Sequence, residues 1–293
     1  MRRRVAQVVV LTAACLFAEQ ACVWAQSAVC PPPSASNSED THPSIPEVSI
    51  AGVTFSGFLQ LPVSEQDRIA DSIKRQEQGH SVGGLFDDEL ERVKAGWQDR
   101  GYFKVRVSGE QRTLSSSLGS QHVALSFHVE EGLQYTLGGI TFRNNKVITD
   151  AAALRGLFPI NDGDVASRQK IAKGLDNLRR AYGDRGYINF TSVPDTEFDD
   201  EGKVMSLVID MDEGKLFRMG DFTIVGLDEP KRQELLKEFP MKRGQAYDGR
   251  LFDSFMLRYP AISAPNDPNR ISRRLDEQVG LVSITVYAQS CTD

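Results

Sequence analysis

Four groups of side chains in this sequence have the types and spacing to do chemistry. Asp87-Asp88-Glu89 and Asp199-Asp200-Glu201 each set three carboxylates in a row, the groups that ligate divalent cations or share protons in acid–base catalysis. The first cluster falls where a helix should begin, and acids there complement the helix dipole. The second falls between two alternating stretches, as a hairpin loop would. His122 and His128 lie on one face of an alternating stretch, but six residues at strand rise part them by about 20 Å. One metal ion cannot take both. Ser115-Ser116-Ser117 reads as loop, and neither GxSxG, HExxH nor GxxxxGK[ST] occurs. There is no CxxC, hence no thioredoxin-like or zinc-ribbon signal. The reading is of a protein that is not an enzyme and has no cofactor and no metal. A catalyst, for instance an exported cell-wall hydrolase, would need acids or a His/Cys pair converging in one cleft.

The elements around these residues carry more information than the residues themselves. Asp99-Arg100-Gly101-Tyr102 recurs as Asp184-Arg185-Gly186-Tyr187. Each copy follows a stretch of helical spacing and precedes an alternating one. Gly101 and Gly186 are placed to close a helix in the left-handed conformation, with an arginine at the negative end of the dipole. Tyr102 and Tyr187 then pack at a helix–strand junction. Three short stretches also share one form: Val53-Thr54-Phe55-Ser56-Gly57, Ile140-Thr141-Phe142-Arg143-Asn144 and Phe222-Thr223-Ile224-Val225-Gly226. Between the second and third, Glu131-Gly132 aligns with Glu213-Gly214, Tyr135 with Phe217, Leu137 with Met219 and Gly138 with Gly220. All keep one offset of 82. Phe158-Pro159 with Gly163 recurs as Phe239-Pro240 with Gly244 at an offset of 81.

Two helical stretches follow each first strand, at residues 64–76 and 87–100, 150–157 and 167–184, and 230–239 and 249–258. Ile69, Ile73, Leu90, Val93 and Trp97 make one apolar stripe, with Ser64 as a candidate N-cap. Leu154, Leu157, Ile171, Leu175, Leu178 and Tyr182 make the next. Trp97 and Phe103 could form an exposed patch, but Trp97 fits the buried stripe. A hairpin closes each unit: 102–112 with 122–130, 187–198 with 204–211, and 270–275 with 281–288. The fold class is therefore α+β, three tandem βααββ units of about 80 residues. The third departs from the pattern, with Leu257-Arg258-Tyr259-Pro260 where DRGY is expected and a Pro-rich loop after it.

Ahead of the units, Arg2-Arg3-Arg4, the apolar run 5–17 and Val23-Trp24-Ala25 read as a signal peptide over residues 1–25. An uncleaved anchor and a lipoprotein at Cys15 are the alternatives. Residues 26–47 form an extended Pro/Ser-rich linker. The units then occupy 48–134, 135–216 and 217–293. Of four cysteines, Cys15 and Cys22 leave with the leader; Cys30 and Cys291 either pair in an oxidising compartment or stay as isolated thiols. The formal charge is −6, and the leader is net basic, so the mature chain is more acidic still. That argues against nucleic acid as a partner. No stretch of the mature chain is long enough for a membrane-spanning helix.

The βααββ order, the helix-ending Gly-Tyr, the Glu-Gly after the last strand and the first-strand ending resemble POTRA (polypeptide-transport-associated) domains. These stand in tandem before the barrels of outer-membrane assembly factors and two-partner secretion transporters. The resemblance runs from Val48 to Ala288 and implies the periplasmic part of such a machine, without its barrel. It also implies three-stranded mixed sheets covered by two helices, with the last strand central and the penultimate strand on an edge. An edge strand can accept an extended peptide by main-chain pairing, called β-augmentation. The candidate edge residues are Lys104, Val105, Arg106 and Val107; Ile188, Asn189, Phe190 and Thr191; and Arg270 and Arg273 in a basic third strand suited to edge protection. The implied partners are unfolded outer-membrane proteins or a barrel assembly or secretion complex. The alternative is an adaptor that docks on a separate barrel through the third unit. Gly101, Tyr102, Gly132, Gly186, Tyr187 and Gly214 are expected to be structural.

Overall fold

The computed structural model describes residues 47–75, 85–117, 120–260, 262 and 270–288. The leader, the Pro/Ser-rich stretch, Cys30, Cys291 and most of the 261–269 loop lie outside the described residues.

The first unit runs β1 (Glu47–Ser56), α1 (Val63–Arg75), α2 (Leu85–Gln98), β2 (Arg106–Ser117) and β3 (Ser120–Glu130). The second runs β4 (Thr136–Arg143), α3 (Ala151–Arg155), α4 (Arg168–Gly183), β5 (Thr191–Asp199) and β6 (Val204–Asp212). The third runs β7 (Arg218–Val225), α5 (Glu229–Glu238), α6 (Gly249–Arg258), β8 (Ile271–Asp276) and β9 (Leu281–Tyr287). The three sheets have orders β1-β3-β2, β4-β6-β5 and β7-β9-β8. In each the central strand pairs parallel with the first and antiparallel with the penultimate strand.

Alternation decides which face each sheet buries. Val123, Leu125, Phe127 and Val129 of β3, Met205, Leu207, Ile209 and Met211 of β6, and Val282, Ile284 and Val286 of β9 all face their unit's helices. The helices answer with Ile69, Ile73, Val93 and Trp97, then Leu154, Ile171, Leu178 and Tyr182, then Leu235, Phe252, Phe255 and Met256. Trp97 is core rather than an exposed patch. The opposite face of each sheet is left open.

The repeated glycines have separate causes. Gly57, Asn144 and Gly226 all take positive φ, at 125°, 64° and 91°, where the first strand turns out of the sheet. Gly138 and Gly220 sit in a bulge at the same place in β4 and β7. A Cβ there would come 2.4 Å from Val204 or 2.5 Å from Ser283. Gly163 and Gly244 close the turn before the second helix, and their N–H groups bond Leu137 and Met219 carbonyls at 2.7 Å each.

The DRGY copies close α2 and α4 as expected. Tyr102 N–H bonds Trp97 C=O and Tyr187 N–H bonds Tyr182 C=O, the six-to-one bond of a Schellman cap. Gly101 and Gly186 take φ of 91° and 89°. Three details differ from expectation. α1 starts before Ser64, because Glu65 and Gln66 N–H bond the Pro62 carbonyl. The strands after DRGY start about four residues late, because a further turn intervenes: Val105 N–H bonds Tyr102 C=O, and Phe190 N–H bonds Tyr187 C=O. Residues 115–117, expected in a loop, belong to β2. In the third unit α6 ends without a glycine, on Tyr259 at φ −120° and then Pro260.

Candidate functional site

The free margins of the sheets are the places where the fold leaves main-chain groups without a ladder partner. β2 is twelve residues long with no proline. Arg106 opens it and holds Glu130 across the ladder through Nε and Nη2, at 2.8 and 2.6 Å. Val107 leans on the core, while Ser108, Glu110 and Arg112 are exposed. Gly109 is required by its neighbour, since a Cβ would lie 2.4 Å from Ser126 O and 2.9 Å from the Phe127 ring.

β5 is different. Thr191 begins it opposite Asp212, but Pro194 sits in the middle opposite Ile209, and the pairing to β6 runs through without a shift. A proline tolerated in an intact ladder turns its nitrogen to the free side, so the row of outward donors is broken there. Beside it, the open face of this sheet forms a concavity of about 900 Å³, lined by Val193, Asp195, Asp210 and Arg143 among others.

β8 has six residues, and of the basic run around it Arg270 and Arg273 are used internally while Arg274 is exposed. The Arg273 guanidinium lies 5.2 Å from the Phe252 ring centroid, on the helix side. Arg270, just before the strand, donates from Nη1 to the Ala288 carbonyl at 3.2 Å.

Besides Arg270, five of the expected edge residues lie outside the strands. Lys104 and Val105 precede β2, and Ile188, Asn189 and Phe190 precede β5, all within the extra turn. Val105 is buried in its own core. Phe190 stacks on Tyr182 with centroids 4.2 Å apart. Ile188 packs against the third unit's core. Asn189 Oδ1 accepts from Lys215 N–H at 3.3 Å. The Lys-Val-Arg-Val alternation imitates a strand because Val105, at the end of the turn, and Val107, in the strand, pack on the same core.

Lys104 has an ionic partner in the next unit. Its Nζ lies 2.6 and 2.8 Å from the two Asp200 oxygens, and Tyr135 OH donates to Asp200 at 2.7 Å. The ammonium also stands 4.8 Å from the Phe198 ring centroid. The hydrogen bond to Asp200 raises the Lys104 pKa, and the same bond lowers that of Asp200. Asp199 Oδ1 accepts the Glu201 and Gly202 N–H groups and shapes the hairpin turn. Of the other acidic cluster, Asp87 and Asp88 lie in the first turn of α2, where acids complement the dipole, while Glu89 is buried and pairs with Arg92 Nε at 3.2 Å. His122 and His128 bond through Nδ1 to Ser49 and Ser56 on the open face. Among the described residues no group of three His, Cys, Asp or Glu is placed to hold a metal ion.

One repeated constellation was visible in the sequence only as Glu-Gly. The Glu131 carboxylate, 3% exposed, accepts from Gln60 N–H, Leu61 N–H and Trp97 Nε1 at 2.6, 3.1 and 2.8 Å. Glu213 accepts from Lys146 N–H, Val147 N–H and Tyr182 OH, each at 2.8 Å. Each carboxylate ties the loop after the first strand to the second helix. Gly132 and Gly214 follow at φ 73° and 66°. The Tyr182 hydroxyl is correspondingly hard to ionise, first through burial and then through the Glu213 bond.

Residues 135–214 match the POTRA family model, described as a surface antigen variable number repeat. The middle unit is a POTRA domain. A candidate outer membrane protein assembly factor of Treponema pallidum is 26% identical over 229 residues, covering 74% of this chain and 27% of that protein. The outer membrane protein assembly factor BamA of Buchnera aphidicola is 20% identical over 168 residues, covering 57% of this chain and 27% of its own. The chain thus spans about a quarter of the length of these relatives. The crystal structure of Haemophilus influenzae BamA POTRA3-5 superposes with a TM-score of 0.58 at 19% identity, covering 83% of this chain and 96% of that one. All three units therefore share the fold of tandem POTRA domains. No catalytic family is indicated, and among the described residues no helix is long and apolar enough to cross a membrane.

Proposed function

We propose that the chain is a periplasmic, non-enzymatic scaffold for outer-membrane protein assembly or secretion. It holds extended strands of unfolded outer-membrane proteins, or of a barrel assembly complex, by β-augmentation. The observation that carries this is β2: twelve residues on an edge, without proline, bordering an open sheet face. Main-chain pairing there supplies affinity with little demand on the client's sequence.

The test uses the phase of the ladder. Gln111 pairs with Leu125 and Pro194 with Ile209, both core-facing residues of a central strand. Gln111 N–H therefore points outward as the Pro194 nitrogen does. Gln111→Pro should keep the fold and abolish crosslinking of a client peptide to photoreactive groups at Ser108 and Glu110. Crosslinks that map instead to exposed helix positions such as Asp71 would overturn strand addition.

A second reading has one observation behind it. Leu257 on α6 is 81% exposed, in the unit whose helix end departs from the repeat. As a contact for a separate barrel protein, Leu257→Asp should end co-purification with it.

A further inference from the structure

The two boundaries between units are built by the same four residues and a following apolar one, Asp99-Arg100-Gly101-Tyr102-Phe103 and Asp184-Arg185-Gly186-Tyr187-Ile188. The tyrosine of each packs into its own core. The residues on either side reach into the next unit. Gly101 C=O accepts Tyr135 N–H at 2.9 Å, and Gly186 C=O accepts Phe217 N–H at 2.8 Å. Tyr135 and Phe217 stand at the head of the next unit's first strand and are fully buried there. Their own carbonyls take Ala166 and Tyr247 N–H, both at 3.0 Å, just before the second helix of that unit. Phe103 packs against the core of the second unit and Ile188 against that of the third. Asp99 Oδ1 accepts Gln169 N–H in the first turn of α4 at 2.6 Å. Asp184 stands at the same place beside α6, 2.9 Å from where a Cβ on Gly249 would lie.

Neither glycine has room for a side chain. A Cβ would lie 2.8 Å from Tyr135 O at Gly101 and 2.9 Å from Phe217 O at Gly186. A glycine chosen only to end a helix would not need a neighbouring unit pressed against it.

The joints differ in how they are closed. At the first, Lys104 pairs with Asp200, which also takes the Tyr135 hydroxyl, beside Phe198. At the second, Asn189 stands where Lys104 stood, and the cross-link is Lys215 Nζ on the Glu277 backbone carbonyl at 3.2 Å. An ammonium on a carboxylate is held more strongly than one on a neutral carbonyl.

We propose that DRGY with its following apolar residue is a docking element whose partner is the first strand and second-helix start of another unit of this fold, and that the Lys104–Asp200 latch makes the first joint stiffer than the second. Units joined by a short linker alone move freely unless their interface restrains them. Here the restraint is built from one motif used twice. The third unit, with Leu257-Arg258-Tyr259-Pro260 in that position, carries no such element. This holds whatever the sheet edges bind.

The test is pulsed dipolar spectroscopy on the full chain, with native cysteines changed to serine and spin labels at Asp71 and Lys173, or at Lys173 and Lys237. The first pair should give the narrower distance distribution. Lys104→Met, a surface change that leaves the core intact, should widen it by about twofold as the units regain independent motion. It should leave the second pair unchanged. Gly186→Ala should widen the second pair alone. The latch is overturned if the first pair is as broad in the wild type as in Lys104→Met. The docking element is overturned if Gly186→Ala, with its circular dichroism retained, leaves the second distribution as it was.

Discussion

Replacing Glu131 with alanine should cost the first unit about 2–4 kcal/mol, and the structure says why the loss is that large. The carboxylate is the acceptor for three donors. Two of these bonds are buried, those from Leu61 N–H and Trp97 Nε1, and a buried donor left without an acceptor costs about 1–3 kcal/mol. Gln60 N–H is only partly buried and can turn to water. The upper part of the range is offset because the folded state no longer desolvates a charge. Glu131→Gln keeps the oxygen that serves Leu61 and Trp97 but turns an amide N–H₂ toward Gln60 N–H, a loss of about 1.5–3 kcal/mol. Apart from Trp24, Trp97 is the sole tryptophan of the sequence, so in protein lacking residues 1–25 its fluorescence during urea denaturation reports the first unit separately from the other two. Trp97→Phe, followed by hydrogen exchange, completes a double-mutant cycle whose coupling should be about 0.5–3 kcal/mol. At Glu213 the two loop bonds are exposed, so Glu213→Ala should cost about 1–2 kcal/mol. A Glu131→Ala protein within about 0.5 kcal/mol of wild type, the range of ordinary surface changes, would refute the anchor.

Gly174→Ala should destabilise the second unit by about 3 kcal/mol, since its Cβ would lie 2.0 Å from the Phe158 ring. Gly183→Ala, with nothing within 4 Å, should stabilise it by up to about 1 kcal/mol, and urea midpoints separate the two. Burial raises the Asp184 pKa, with Asp248 and Asp253 adding to it and Arg250 and Arg185 opposing. The folded state therefore holds that proton more tightly than the unfolded one, and the third unit's joint loses stability as pH rises from the ordinary carboxylate range through the raised value. Asp184→Asn should flatten this fall, giving a higher Tm than wild type at neutral pH and no advantage in acid; an Asn variant less stable at neutral pH would contradict it. Pro194→Thr should restore the missing outward donor of β5 and increase self-association by light scattering; an unchanged monomer would show that the proline is not what guards this edge.

The architecture was legible because two periodicities agreed. Alternation in residues 123–129, 205–211 and 282–286 fixed the buried face of each sheet, and the constant offset between Tyr135 and Phe217 fixed the unit. What the sequence hid lies across unit boundaries or within one turn. Lys104 and Asp200 are 96 residues apart, so no local pattern links them, and alternation together with the edge position implied for the penultimate strand points to Lys104 as an edge residue. The extra turn after each DRGY is invisible because Val105 and Phe190 are apolar residues that suit a strand as well as a buried turn. Glu131 was legible as a repeated letter, but its three donors come from two other elements, so only their convergence gives it a role.

A helix stop and a joint make different demands on DRGY. As a helix stop it needs only a glycine with positive φ, and Asn at that position would serve nearly as well, as Asn144 does at the end of β4. As a joint it needs the absence of Cβ, the carbonyl of that residue, and an apolar residue two positions on. Gly101→Asn separates the two roles. A helix stop tolerates it, whereas a joint with Tyr135 O at 2.8 Å from the new Cβ does not. The distance distribution between the first and second units should then broaden while α2 keeps its hydrogen-exchange protection. Loss of both together would mean that capping and docking are one cooperative event.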